Sequence, residues 1–138
     1  MKRILCAVNL DGDCTSVAER ARELALMSGA SVKAVYALHL QDVVSDLDAP
    51  TGKTAASMRS AISGAEAAMS RFLSQNFTSV ATEGSVVLGC AASEILAIAD
   101  HDQPDMIVVG THKHGAFGFD TSVAENVARG SHCPVLMV

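Results

Sequence analysis

The sequence lacks any cluster of lysine and arginine, and its 15 acidic residues outnumber its 10 basic ones to give a formal net charge of −5. Nucleic acids and anionic membrane surfaces are bound through basic patches, so the composition argues against both as partners. No apolar run approaches the roughly 20 residues that a membrane-spanning helix needs. The N-terminus enters a strand pattern with no cleavage site, which argues against a signal peptide. These absences favour a cytoplasmic protein.

Sequence signatures of catalysis and of paired cysteines are also missing. The four cysteines form no C-x-x-C pair, which is typical of free thiols in a reducing compartment. Cys14 and Cys90 lie near predicted helix starts, where the helix dipole lowers the pKa of a thiol. No basic partner is near them in sequence, so incidental thiols are favoured over redox sensors. The chain has no nucleophile elbow, no Ser/His/Asp order and no paired catalytic carboxylates, which disfavours an enzyme.

Apolar β-forming runs alternate with amphipathic segments along a chain that is 49% hydrophobic and 138 residues long, which suits one domain over residues 1–138. Predicted strands cover residues 3–9, 31–40, 80–88, 105–109 and 134–138, and predicted helices cover residues 15–27, 55–75, 92–101 and 122–129. This alternation predicts an α/β fold, an open five-stranded Rossmann-like parallel sheet with helices on both faces.

The last third of the chain reads as a buried strand, a glycine-bearing loop, a helix and a second buried strand. The first of these strands ends at Gly110. Ser122, three residues before Glu125, forms a capping-box signature, so a helix is predicted to begin at Ser122. Unpaired N–H groups point outward at the start of such a helix, so this arrangement favours anion binding.

This C-terminal order, from VVG at 108–110 through the loop to SVAENVARGSHCPVLMV, resembles the signature of the universal stress proteins. The first nine residues, MKRILCAVN, resemble the first strand of that family, and residues 87–95 resemble its third strand and the following helix. The resemblance covers essentially the whole chain. It implies the strand order 3-2-1-4-5, with a crevice between strands one and four at the topological switch point.

The resemblance also implies where a nucleotide would lie. ATP-binding members of the family hold phosphates on a G-x-x-G, nine residues, G-[S/T] motif, and hold adenosine at the end of the first strand and on the backbone after the second. On this sequence the adenosine positions are Ala7, Val8, Asn9 and Leu40, and the phosphate positions are Gly110, Lys113, Ser122 and Val123.

The phosphate motif is degenerate here. Lys113 and Thr121 stand where the motif has glycines, the loop is shorter by two residues, and Asn9 replaces the family's aspartate. Asp120 would bring a carboxylate near the phosphates, which costs like-charge repulsion. The pattern is similar to the branch typified by universal stress protein A, which does not bind ATP. We therefore expect a stress-response or regulatory module that uses no cofactor and binds an unidentified protein partner.

The alternative is a member that binds ATP or AMP through a rearranged loop, with slow hydrolysis. Gly110, Ser122 and Val123 match the motif and keep this hypothesis open. The loop also carries cationic groups that could face a phosphate, namely His112, Lys113 and His114.

The loop histidines could instead form a metal site. His112 and His114 are two apart, and His132 or His101 could join them. No cysteine or carboxylate cluster is positioned in sequence to complete four ligands, so polar-loop histidines and no metal are favoured.

The fifth strand, PVLMV, is apolar to residue 138 and lies at one edge of the sheet in the implied order. An exposed hydrophobic edge invites pairing with another strand, and no charged residue guards it. The family resemblance implies the same pairing. We therefore expect a homodimer in which two copies of this strand run antiparallel about a two-fold axis, with Val135, Leu136 and Met137 in the interface.

Overall fold

A computed structural model of the chain describes residues 1–39, 53–111 and 121–138, without the side chains of residues 53–55, 121 and 122. Its strands are β1 Arg3–Ala7, β2 Ser31–Leu38, β3 Thr82–Leu88, β4 Met106–Val109 and β5 Val135–Met137. Its helices are α1 Thr15–Ser28, α2 Lys53–Asn76, α3 Ala91–Asp102 and α4 Thr121–Gly130. Within these residues, no helix combines the length and apolarity needed to cross a bilayer.

The strands form one sheet in the order β3-β2-β1-β4-β5, and every neighbouring pair is parallel. The predicted fold and strand order are confirmed. β1 is central, because Ile4 pairs with Val32 of β2 on one side and with Met106 of β4 on the other. The strand order reverses at β1, so the carboxyl ends of β1 and β4 flank the topological switch point.

Both faces of the sheet are covered by helices. Along β1, Ile4 and Cys6 pack in the cluster formed with α1 and α2, while Leu5 and Ala7 pack in the cluster formed with α3 and α4. Successive residues of a strand point to opposite faces, and β1 is apolar on both because both faces are buried. Among the described residues, no polar or charged residue is buried in either cluster.

Helix α1 follows directly from its sequence pattern. Val17, Ala18, Ala21 and Ala25 recur at helical spacing and are buried against the sheet. Gly29 ends the helix in the left-handed conformation at φ 74°, and its N–H donates to the carbonyl of Ala25 at 2.8 Å. The predicted glycine cap is confirmed, and glycine tolerates this conformation without steric cost.

Several predicted boundaries were wrong by one or two residues. β1 ends at Ala7 rather than at residue 9 because the chain turns at Asn9, whose carbonyl accepts a hydrogen bond from Gly12 N–H at 3.2 Å. β3 begins at Thr82 rather than at residue 80, after Ser79 adopts a positive φ of 69°. Helix α4 begins at Thr121, one residue before the predicted start at Ser122.

Candidate functional site

The carboxyl edge of the sheet, where the parallel strands end, holds the switch point. Ala7 of β1 is in register with Val109 of β4. Val8 follows β1, stays buried and donates its N–H to the carbonyl of Val35 at 2.9 Å. Asn9 is the first partly exposed residue after β1, and Gly110 is the first residue after β4. The structure therefore places Ala7, Val8 and Asn9 beside Gly110, as expected for residues at a topological switch point.

The loop between β1 and α1 is fixed by its own hydrogen bonds. Asn9 Oδ1 accepts the N–H of Asp11 at 3.1 Å, which forms an Asx-type turn. The hydroxyl of Tyr36, from a buried side chain of β2, donates to Asp11 Oδ2 at 2.6 Å. The side-chain oxygen of Asn9 therefore accepts a hydrogen bond from the backbone of its own loop. Asn9 is the position at which the family has an aspartate.

Cys14 immediately precedes α1, as expected. Burial raises the pKa of the Cys14 thiol and that of the fully buried Cys6 thiol. The expectation that the helix dipole would lower the pKa of Cys14 is corrected, because desolvation of the thiolate outweighs it. Cys90 precedes α3 and is exposed.

Gly110 is needed for close packing at the base of the loop that follows β4. A Cβ on Gly110 would lie 2.9 Å from Cγ2 of Val17 in α1, so this position admits no larger side chain without displacement. The next residue, Thr111, donates both its N–H, at 2.8 Å, and its hydroxyl, at 2.9 Å, to the carbonyl of Val138. These two hydrogen bonds join Thr111, at the base of the loop, to Val138, just after β5.

The remaining predicted nucleotide positions are only partly described. Leu40, His112, Lys113 and His114 lie outside the described residues, as does the side chain of Ser122. Val123 is half-buried and packs with the α3 and α4 core cluster.

Metal-binding groupings do not occur in the described part of the chain, since no three or more His, Cys, Asp and Glu side chains there are placed to hold an ion. His101 instead lies 2.9 Å from Asp102 through its Nδ1.

Among the described strands, β5 has a partner on one side only, which is β4. The carbonyl of Pro134 accepts from Ile107 N–H at 3.0 Å, and Val138 N–H donates to Val109 at 2.9 Å. Hydrogen-bonding direction alternates along a strand, so the N–H and C=O groups of Val135 and Met137 point away from β4. Met137 is 49% exposed, whereas Val135 and Leu136 are half-buried.

The fold defines a doubly wound parallel α/β protein whose strand order reverses at β1, and such sheets bind ligands at the carboxyl ends of the strands that flank this switch point. A sequence profile of the universal stress protein family matches residues 1–138. The chain therefore belongs to the universal stress protein family and is a stress-response protein. No curated protein matches the sequence significantly.

Solved structures share the fold of this chain. The hypothetical protein MJ0577 is 20% identical, with 99% of this chain and 94% of that chain covered and a TM-score of 0.77. A universal stress protein from Archaeoglobus fulgidus in complex with dAMP is 20% identical, with 99% and 97% covered and a TM-score of 0.58. A family protein from Arabidopsis thaliana with AMP bound is 16% identical, with 100% and 91% covered and a TM-score of 0.64.

Sequence reasoning missed the contact between Tyr36 and Asp11. The two residues are 25 apart in sequence, and only the pairing of β1 with β2 brings them together. A usable signal was present, because a tyrosine inside an apolar strand needs a partner for its hydroxyl, and such partners are commonly found where the strand ends.

Proposed function

We propose that this protein is a cytoplasmic regulatory module of the stress response that works as a homodimer and binds a protein partner, without tight ATP binding. The observation that carries the proposal is β5, an apolar strand that is paired on one side within the described part of the chain. A single copy leaves half of the Met137 side chain in water and directs the backbone groups of Val135 and Met137 outward. A second copy of the same strand would cover the Met137 side chain and would pair the outward backbone groups of Val135 and Met137.

The outward groups of β5 define the register of the proposed dimer. In an antiparallel pair, the residues that exchange hydrogen bonds lie directly opposite each other. Val135 of each copy would face Met137 of the other, and Leu136 would face its own copy across the two-fold axis. This register pairs every outward N–H and C=O of β5 and extends the two sheets into one.

Sedimentation equilibrium of three proteins tests the dimer. We expect the wild type to be a dimer and Leu136→Asp to be a monomer, because the dimer would bury an unpaired carboxylate. Met27→Asp is the matched control, since it adds the same charge at an α1 side chain that is 85% exposed, and it should leave the dimer intact. A wild type that stays monomeric on the order of tens of micromolar would overturn the proposal.

The carboxyl edge also disfavours a triphosphate. Asp11 and Asp13 are exposed carboxylates on the loop that follows β1, and they would repel the charge of ATP. Asn9 directs its side-chain oxygen to the loop backbone. Together with the degenerate glycine motif in the sequence, these features support weak or no ATP binding. Titration calorimetry with ATP and magnesium at near-millimolar concentration tests it, and a dissociation constant in the low micromolar range would contradict it.

A nucleoside monophosphate is the second candidate ligand for the carboxyl edge at the switch point. The Archaeoglobus and Arabidopsis relatives were solved with dAMP and with AMP. A monophosphate carries less negative charge than ATP and needs fewer phosphate-holding amides, so the lost glycines matter less to it. Native mass spectrometry of the purified protein, followed by titration with AMP, distinguishes a protein that binds AMP from one that binds no nucleotide. A bound mass equal to AMP, lost in Asn9→Ala, would favour this second candidate.

A further inference from the structure

A cleft opens at the amino edge of the sheet, where the strands begin, opposite the switch point described above. Its volume is about 450 Å³, within the range of small-molecule sites. Buried apolar residues of the central strands, Ile4, Leu5 and Val32, contribute to its lining. The polar part of the lining comes from Arg3, Ser31, Lys33, Thr82, Glu83 and Asp102.

The charged residues of this amino-edge cleft are arranged around the end of α3. Lys33 Nζ lies 2.7 Å from Asp102 Oδ2, and His101 Nδ1 lies 2.9 Å from Asp102 Oδ1. The guanidinium of Arg3 donates through Nη1 to the backbone carbonyl of Asp102 at 2.8 Å. Both carboxylate oxygens of Asp102 are therefore engaged.

Glu83 is held much less firmly than Asp102. Its carboxylate approaches Lys33 Nζ only to 4.0 Å, and its side chain is 72% exposed. Lys33 and Glu83 are in register on neighbouring strands, so Glu83 reaches over the cleft from the edge strand β3. A pair with this geometry and exposure contributes little to stability, so Glu83 is readily replaced.

Most of the hydrogen-bond donors that remain in the cleft belong to its two cationic side chains, Arg3 and Lys33. A guanidinium has five N–H donors and an ammonium has three. Within the described part of the chain, Arg3 uses one of its side-chain donors and Lys33 makes a single short contact. When Glu83 turns to solvent, the lining keeps two positive charges and the one negative charge of Asp102. The cleft then favours a guest that carries an anionic acceptor.

We propose that the amino-edge cleft binds a small organic carboxylate. The carboxylate takes the place of Glu83 beside Lys33 and receives further hydrogen bonds from Arg3, which presents the planar fork that suits carboxylates. The apolar body of the acid lies against Pro104, Ala81 and the methylene stems of Arg3 and Lys33, since Ile4, Leu5 and Val32 are almost fully buried. This site shares no residue with the nucleotide positions at the carboxyl edge, and binding here is independent of the proposed dimer strand.

Amide NMR titration of the full chain with hexanoate tests the proposal, with acetate and inorganic phosphate as comparison probes. We expect saturable shifts confined to residues around Arg3, Lys33 and Glu83, with hexanoate binding more tightly than acetate. Arg3→Gln should weaken hexanoate binding by about tenfold, the usual effect of losing a hydrogen bond to a charged group. Glu83→Gln should strengthen it, since the competing carboxylate is gone.

Two further variants keep the result interpretable. Lys33→Met should abolish binding. If Lys33→Met unfolds, Arg3→Gln still tests the site, because it leaves the Lys33–Asp102 pair in place. Arg20→Gln removes an equal charge from an exposed pair with Glu23 on α1 and should leave binding unchanged. Shifts spread over the surface, equal affinity in Arg3→Gln, or phosphate binding in place of hexanoate would each overturn the proposal.

Discussion

The hydroxyl of Tyr36 donates a hydrogen bond to Oδ2 of Asp11 over 2.6 Å and joins the buried middle of β2 to the exposed loop after β1. Asp11 in turn donates its N–H to the side chain of Asn9 at 3.1 Å. The conformation of the loop at the switch point therefore depends on a residue in the neighbouring strand. A loop held from two sides keeps its carboxylates at one place along the carboxyl edge.

Replacing Tyr36 with phenylalanine should destabilise the fold by about 1 kcal/mol, because it removes one hydrogen bond and keeps the buried ring. Urea denaturation measures the change. Asp11→Asn is the matched variant, since it keeps an acceptor for the hydroxyl and should cost less. A Tyr36→Phe protein as stable as the wild type would mean that water replaces the bond without loss.

Replacing Gly110 with alanine should destabilise by about 1–3 kcal/mol, because the added methyl group overlaps Cγ2 of Val17. The measurement is again the free energy of unfolding in urea. In a Val17→Ala background the same substitution should cost less, since the opposing methyl group is absent. Equal costs in both backgrounds would show that the clash with Val17 is not the cause.

Amide hydrogen exchange should distinguish the two sides of β5. The N–H of Val138 donates to Val109 and should be protected whether the protein is a monomer or a dimer. The N–H of Met137 points away from β4 and should be protected only in the proposed dimer. The Leu136→Asp protein supplies the comparison, because Met137 should exchange faster there while Val138 changes less. Fast exchange of Met137 in the concentrated wild type would contradict the strand pairing.

The pKa of the Asp102 carboxyl is held below its ordinary value, first by the hydrogen bond from Lys33 and then by that from His101. A depressed carboxyl pKa stabilises the fold above the unfolded pKa, and this contribution is lost as pH falls through the lower folded pKa. Lys33→Met should therefore raise the pKa of Asp102 towards its ordinary value and make stability less sensitive to acid. A carbon NMR titration of the carboxyl group measures this, with Arg20→Gln as the control that should leave it unchanged.

The sequence was sufficient for the architecture because strands buried on both faces leave continuous apolar runs, as in residues 4–8 and 106–109. The glycine cap at Gly29 and the apolar face of α1 were also readable from spacing alone. Element ends were less predictable, because they depend on the conformation of single residues, such as the side-chain hydrogen bond of Asn9 and the positive φ of Ser79.

The candidate sites were predictable only where strand order determines position. Asn9 and Gly110 could be placed together because both follow strands that meet at the switch point. The amino-edge cluster of Arg3, Lys33 and Asp102 was not predicted, since these residues are far apart in sequence and no motif links them. Their meeting depends on where α3 ends over the sheet, which the pattern of apolar residues does not specify.

Because β1 is the central strand, the centre of the sheet is completed late in folding. Ile4 pairs with Met106, so the two partners are separated by roughly a hundred residues of intervening chain. On the ribosome β1, β2 and β3 emerge first, and the side of β1 that β4 will cover has no partner until the chain is nearly finished. A nascent chain that stalls before Met106 therefore presents the apolar, unpaired edge of β1, which invites pairing with a strand of another chain.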